Sequence, residues 1–166
     1  VGLWEELLKA LPLLILLFWK RASLNPNQLI TMGVFSGLGF AAFENLHYGE
    51  RAIVSSYALT SLYGAEGLAS GVQNAMILVM LRAVSLVFCH GVWSGIVGYF
   101  VAAAMVRQRR LIAFILLGLG ISSILHGVYN WFAEIQPTVA AAIAGLSFCL
   151  FYGYLSKFKS MVKNLS

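Results

Sequence analysis

Five mostly apolar stretches of roughly 20 residues or, for the third, rather more follow one another along this 166-residue chain, and about 20 residues carry an α-helix across the roughly 30 Å hydrocarbon core of a bilayer. They cover about Leu3 to Trp19, Gln28 to His47, Ala75 to Val106, Leu111 to Phe132 and Thr138 to Leu155. Little chain is left over, so the pattern predicts an all-α fold: a polytopic transmembrane helix bundle with about five spans and no sizeable extramembrane domain. Composition agrees. Only 10% of the residues are charged and 60% are apolar, against about 25% charged in an ordinary soluble domain. The polar side chains needed to cover a water-facing surface are lacking, which excludes a soluble enzyme. Residues 1–166 read as a single membrane-embedded helical domain, with no internal repeat and no low-complexity linker.

The 11 basic residues outnumber the 6 acidic ones, a balance that in a soluble protein would suggest nucleic acid. Here their positions assign them to orientation, because short cytoplasmic loops collect Lys and Arg, and no nucleic-acid partner is expected. Basic clusters follow spans one, three and five, at Lys20-Arg21, at Arg107, Arg109 and Arg110, and at Lys157, Lys159 and Lys163. The other connections carry Arg51 opposite Glu50, or Glu134 with no basic residue. The ends of spans two and four are therefore expected to face outside. The least apolar stretch, Tyr48 to Asn74, reads as the connection between spans two and three. Cys89 and Cys149 both lie in apolar runs, where a thiol behaves as a small hydrophobe. The chain starts at Val1 with no cleavable signal pattern, and its natural start is expected to lie earlier.

Ionisable residues inside spans are costly and mark functional sites by default. Glu5 and Glu6 open span one, Glu44 lies near the end of span two, His90 in the first half of span three, and His126 and Asn130 near the end of span four. With the orientation above, all fall in the outer half of the bilayer, although their helices run in alternating directions. His126 and Asn130 are four apart and share a helix face, as do Phe40 and Glu44. Gly33 and Gly37, and Gly91 and Gly95, form small-xxx-small steps that let helix backbones approach closely. For a lone histidine, a neutral side chain bonded to a backbone carbonyl would be the simpler account. Two at matched depth, with carboxylates at the same level, are better read as one site. Arg82 reads equally well as a snorkelling interfacial residue and as a counter-ion for a carboxylate.

These residues carry a resemblance. Glu5-Glu6-Leu7-Leu8-Lys9 looks like an EExxK motif, and Gly39 to Tyr48, with Phe40, Glu44 and Asn45 inside it, looks like GFAxxENxxY. Arg82 precedes His90 by eight residues, and Leu125-His126-Gly127-Val128-Tyr129-Asn130 completes the set. Together and in this order they resemble the PrsW family of intramembrane proteases, relatives of the CAAX prenyl endopeptidases and bacteriocin-processing enzymes. The motifs of those relatives are written EExxxR, FxxxH, and HxxxN or HxxxD. Lys9 stands one position before the arginine of that pattern and Glu44 stands in place of its histidine, and both departures point to the PrsW branch. Relative to the family, helices before the first motif are expected to be missing.

The resemblance implies an intramembrane endopeptidase with Glu5, Glu6, Glu44, His90, His126 and Asn130 as catalytic candidates and Lys9, Phe40, Asn45 and Arg82 in support. The substrate would be a membrane-anchored protein, cut near the outer face of the lipid bilayer of a prokaryotic plasma membrane. In well-known members the substrate is an anti-sigma factor. Peptide hydrolysis needs a base for water, donors for the oxyanion and an acid for the leaving amine. Glu5 or Glu6 would supply the base, His126 and Asn130 would polarise the carbonyl, and His90 and Glu44 would hold water or substrate. The cofactor is open between none and one divalent metal such as zinc. HExxH is absent, but Glu44, His90 and His126 are candidate ligands spread over several helices. A di-iron bundle would use paired Glu-x-x-His steps, and only Glu44 to His47 shows one. Trp93-Ser94-Gly95 faintly resembles a rhomboid nucleophile segment, a serine reading that leaves the glutamates unexplained. From a different class, a small proton- or ion-coupled transporter would also use intramembrane Glu and His. It predicts polar groups along the full depth, whereas the inner halves of these spans are nearly all apolar.

Overall fold

The computed structural model describes residues 2–20 and 24–164, apart from the side chains of residues 20, 59, 60, 62, 63, 75, 78, 79, 81–84 and 134. Arg21 and the side chains of Lys20, Arg82 and Glu134 thus lie outside the described residues. Among those described, regular structure is entirely α-helical: α1 (Gly2–Lys20), α2 (Pro26–Val106), α3 (Leu111–Ile135) and α4 (Pro137–Lys163). The expectation of a polytopic helical protein holds. Among the described residues, four segments are long and apolar enough to cross a membrane, Pro26–Ala58, Ser85–Val106, Leu111–Ala133 and Pro137–Lys163, close to the five expected. The difference is α1, whose first half carries Glu5, Glu6 and Lys9 on 19 residues.

Local chemistry sets the helix ends. Asn25 caps α2: its side chain accepts from the Asn27 N–H at 2.9 Å, and the Gln28 side chain accepts from the Asn25 N–H at 3.0 Å. Pro26 occupies the first turn, where its missing N–H costs nothing. Gln136 alone separates α3 from α4, its backbone pushed out of the helical region (φ −148°, ψ 85°) by the proline after it.

The connection expected at Tyr48 to Asn74 is instead helical, lying inside the single element Pro26–Val106. That stretch has no proline and many helix-compatible residues; reduced hydropathy alone does not end a helix. Gly64 does, with φ 64° and ψ −150°, a conformation essentially reserved for glycine, so α2 is two helices joined there.

The chain divides into two compact units, Val1–Leu38 with Cys89–Ser166, and Gly39–Phe88. At the centre of the first lies the almost wholly buried segment around Trp93, Ile96, Val97, Val101 and Ala102. Residues 26–38 cross it at glycines: a Cβ on Gly98 would lie 2.5 Å from the Leu29 carbonyl oxygen, and one on Gly37 would run into the His90 carbonyl. The small-residue steps expected at Gly33/Gly37 and Gly91/Gly95 are therefore contacts, Gly95 meeting Phe151 and Val34. α3 packs against both α1 and α4, and Tyr99 stacks on Tyr154 of α4 with centroids 4.7 Å apart. In the second unit, the helices either side of Gly64 meet at Gly71, where a Cβ would lie 2.8 Å from the Ser56 side chain. They enclose an apolar groove of about 600 Å³ lined in part by Asn45, Ile53, Val72 and Met76.

Candidate active site

One face of α1 is buried at Gly2, Glu6, Lys9, Ala10, Leu13 and Leu17, while Leu3, Trp4, Leu8, Leu11, Ile15, Phe18 and Trp19 point outward. This is the three-and-four spacing of a helix that buries a single stripe. The stripe is aliphatic in its second half and ionic in its first. Gly2 lets α1 close onto α3, since a Cβ there would lie 3.1 Å from the Ser123 carbonyl and 3.2 Å from the Gly127 nitrogen. That approach brings Glu5, Glu6 and Lys9 against His126.

Lys9 Nζ donates to Glu6 Oε1 at 2.6 Å, and both side chains are 0% exposed. The same Oε1 lies 2.9 Å from His126 Nδ1, with Lys9 Nζ 3.5 Å from that nitrogen. An ionised carboxylate only accepts hydrogen bonds, so Nδ1 carries the proton toward Glu6. The other ring nitrogen, Nε2, lies 3.4 Å from Glu5 Oε2. In the neutral ring that leaves two acceptors facing each other, an arrangement that calls for a proton or a cation. His90, on the central segment of α2, sits with its ring centroid 5.0 Å from that of His126. One ligand atom each from Glu5, His90 and His126 lie within 4.8 Å of one another. A carboxylate and two imidazoles make the donor set of many catalytic zinc sites, with a further position left for water. Glu6 on Nδ1 matches the carboxylate that orients a ligating histidine. The donor set thus fits a divalent metal.

Trp93 walls the cluster. Its ring stacks on His126 with centroids 4.5 Å apart and 20° between planes, and meets His90 edge-on at 5.6 Å and Tyr129 at 5.5 Å. Lys9 Nζ stands 5.9 Å from the Trp93 centroid. The indole is itself held, since Nε1 donates to Ser147 Oγ of α4 at 3.0 Å, and the Trp93 carbonyl accepts from Ser122 Oγ of α3 at 2.7 Å.

Of the residues singled out in the sequence, the structure brings together Glu5, Glu6, Lys9, His90 and His126. Asn130 follows His126 by one turn and is half-buried; no hydrogen bond joins it to the cluster among the described residues. Phe40, Glu44 and Asn45 belong to the second unit, where Asn45 lines the apolar groove. Arg82 is helical there, with its side chain outside the described set. His47 is exposed and Cys89 is a buried free thiol. Ser94, the nucleophile of the serine reading, is buried beside Gly37 and makes no hydrogen bond to either histidine among the described residues. Trp93 and Ser147 went unassigned in the sequence. Trp93 was within reach, because it follows His90 by three residues and so shares its helix face.

The sequence has a counterpart among known families. A family model described as PrsW family intramembrane metalloprotease matches residues 1–156. The chain belongs to the PrsW family. No curated protein and no solved structure matches it. Membership makes this PrsW protein an intramembrane protease and an integral membrane protein that meets its substrate within a lipid bilayer. The two motifs that open and close the resemblance, around Glu5 and His126, are the ones the first unit of this PrsW chain folds into a single cluster.

Proposed function

We propose that this PrsW protein is a metal-dependent endopeptidase that hydrolyses a peptide bond of a membrane-anchored protein near the outer face of the bilayer. The observation that carries the reading is the convergence of Glu5 Oε2 and His126 Nε2 at 3.4 Å within the Glu5, His90 and His126 group. These three would hold the cation, which when bound would polarise the scissile carbonyl and acidify a water molecule. Glu6 fixes the ring of His126 through Nδ1 and is itself fixed by Lys9. Its second oxygen, Oε2, is buried with no hydrogen-bond partner among the described residues, and is our candidate to take the proton from water and return it to the leaving amine. Asn130 and Glu44 remain candidates for substrate contact.

Depth supports cleavage near one face. His126 lies 15 residues after the start of α3 at Leu111, about 22 Å along the helix axis at 1.5 Å per residue. The start of α3 adjoins the basic turn at Arg107 to Arg110, the expected cytoplasmic side. In a core of roughly 30 Å, the cluster then lies in the outer third. An anti-sigma-factor-like substrate and a prokaryotic plasma membrane are the finer proposals, supported by family resemblance.

The test is elemental analysis of the purified protein beside cleavage of a single-span substrate. Wild type should retain about one zinc-class metal per chain and lose cleavage with chelator. Glu5→Gln, His90→Ala and His126→Ala should each lose metal and activity together. Full cleavage in metal-free wild type would overturn the metal assignment. Unchanged cleavage in all three variants would overturn the site. Ion flux in liposomes without any proteolysis would favour a transporter instead.

A further inference from the structure

At the end of α1 and α3 opposite the Glu/His cluster, the two helices leave an apolar groove of about 660 Å³ lined by Phe18 from α1 and by Leu111, Ile112, Ala113 and Leu116 from α3, with Arg109 and Arg110 at its rim. Phe18, Ile112 and Leu116 are 72%, 71% and 63% exposed. An apolar wall alone would take any lipid tail. What distinguishes this one is the pair of arginines, Arg109 and Arg110, among its lining residues. Arg109 also lines a neighbouring hollow of about 560 Å³ with Arg107, Gln108 and Asn164, room of mixed polarity beside the groove, and no acidic residue lines either space among the described residues. Arg110 precedes α3 without a side-chain cap, so the first N–H groups of a 25-residue helix add positive potential at the same rim. The apolar groove of the second unit is lined by Glu50 and, among the described residues, by no cation.

We propose that this groove binds one anionic phospholipid of the cytoplasmic leaflet, its acyl chain along Phe18, Ile112 and Leu116 and its phosphate on Arg109 and Arg110. The chemistry is that of basic pockets at the cytoplasmic ends of membrane helices. Arginine suits the task, since its planar fork takes two phosphate oxygens at once. Glu6 and Phe18 are 12 residues apart on α1, about 18 Å, so the lipid would sit well away from the reacting groups. It would bridge the ends of two helices that also carry the cluster.

The test is native mass spectrometry of the full chain in detergent, supplied with phosphatidylglycerol or phosphatidylcholine of identical acyl chains. Wild type should retain phosphatidylglycerol preferentially. Each arginine near an anionic headgroup is worth about fivefold, so Arg109→Gln with Arg110→Gln should lower retention by roughly thirtyfold. Replacing both with lysine should keep most of the preference, which separates lost charge from lost fold. Leu116→Trp fills the groove with both arginines present and should also reduce retention. Equal retention of the two lipids by wild type, or an unchanged preference in the glutamine variant, would overturn the proposal. So would undiminished binding in Leu116→Trp, or displacement of the lipid by inorganic phosphate alone, which would indicate an anion site without an acyl groove.

Discussion

Trp93 lies flat against His126, with ring centroids 4.5 Å apart and 20° between planes. The indole fixes one face of the imidazole while Glu6 fixes its edge, so the direction of Nε2 is set from two sides. Trp93→Ala should open a cavity in the buried centre of the first unit and cost about 3–5 kcal/mol, read as a lower unfolding midpoint in detergent. Trp93→Phe keeps a stacking ring but loses the bond to Ser147, and should cost about 1 kcal/mol. If Trp93 is a positioning residue, the phenylalanine variant will keep its KM and lose kcat. Equal loss in both variants, tracking stability alone, would make the indole merely structural.

Lys9 and Glu6 are a fully buried ion pair. Breaking such a pair by removing one partner typically costs 3–5 kcal/mol, because the other charge is left uncompensated, whereas replacing both with apolar groups is often neutral. Glu6→Gln alone should therefore be strongly destabilised. Glu6→Leu combined with Lys9→Met should recover most of the stability without recovering cleavage. Thermal melts and cleavage assays on the same preparations separate these effects. Restored cleavage in the double variant would remove Glu6 from the chemistry.

A cation held by Glu5, His90 and His126 would tie together α1, α2 and α3, and a ligand that binds only the folded state stabilises it by mass action. Chelator should lower the melting midpoint of wild type and leave that of Glu5→Gln unchanged. At a free metal concentration 100 times its Kd, the stabilisation is about 2.7 kcal/mol. A midpoint indifferent to chelator in wild type would remove the bridging role.

Much of this was readable in the chain before the fold was known, for a reason particular to membranes. Where charge is expensive, each retained Glu, His or Lys is informative: helix direction and the basic turns led to an expected common depth for Glu5, Glu6, Glu44, His90, His126 and Asn130, of which the first unit brings Glu5, Glu6, His90 and His126 together. Helix continuity was harder. The stretch from Tyr48 to Asn74 is less apolar than its neighbours, but polarity does not decide backbone conformation. The single residue that does, Gly64, looks like any other glycine among the 16 in the sequence. Trp93 escaped because an apolar aromatic in an apolar span carries no compositional signal; only its three-residue offset from His90 hints at a shared face.

Gly98 and Gly145 should respond in opposite directions to alanine. A sequence reading treats Gly98 and Gly145 alike, as glycines inside apolar helices that alanine should improve by up to about 1 kcal/mol. Their surroundings are opposite. A Cβ on Gly98 would lie 2.5 Å from the Leu29 carbonyl oxygen and 3.0 Å from the Ile30 Cα, both backbone atoms that cannot swing away, while one on Gly145 meets nothing within 4 Å. Gly98→Ala should therefore force residues 26–38 off the central segment, with an overpacking cost of about 1–3 kcal/mol, and Gly145→Ala should be neutral or mildly stabilising. Because the Leu29 contact lies two turns from the Gly37 and His90 crossing on the same helix pair, Gly98→Ala should also weaken cleavage without touching any polar residue of the cluster. Melting curves and cleavage rates for the two variants side by side check this, and equal midpoints would contradict the close crossing of residues 26–38 over the central segment.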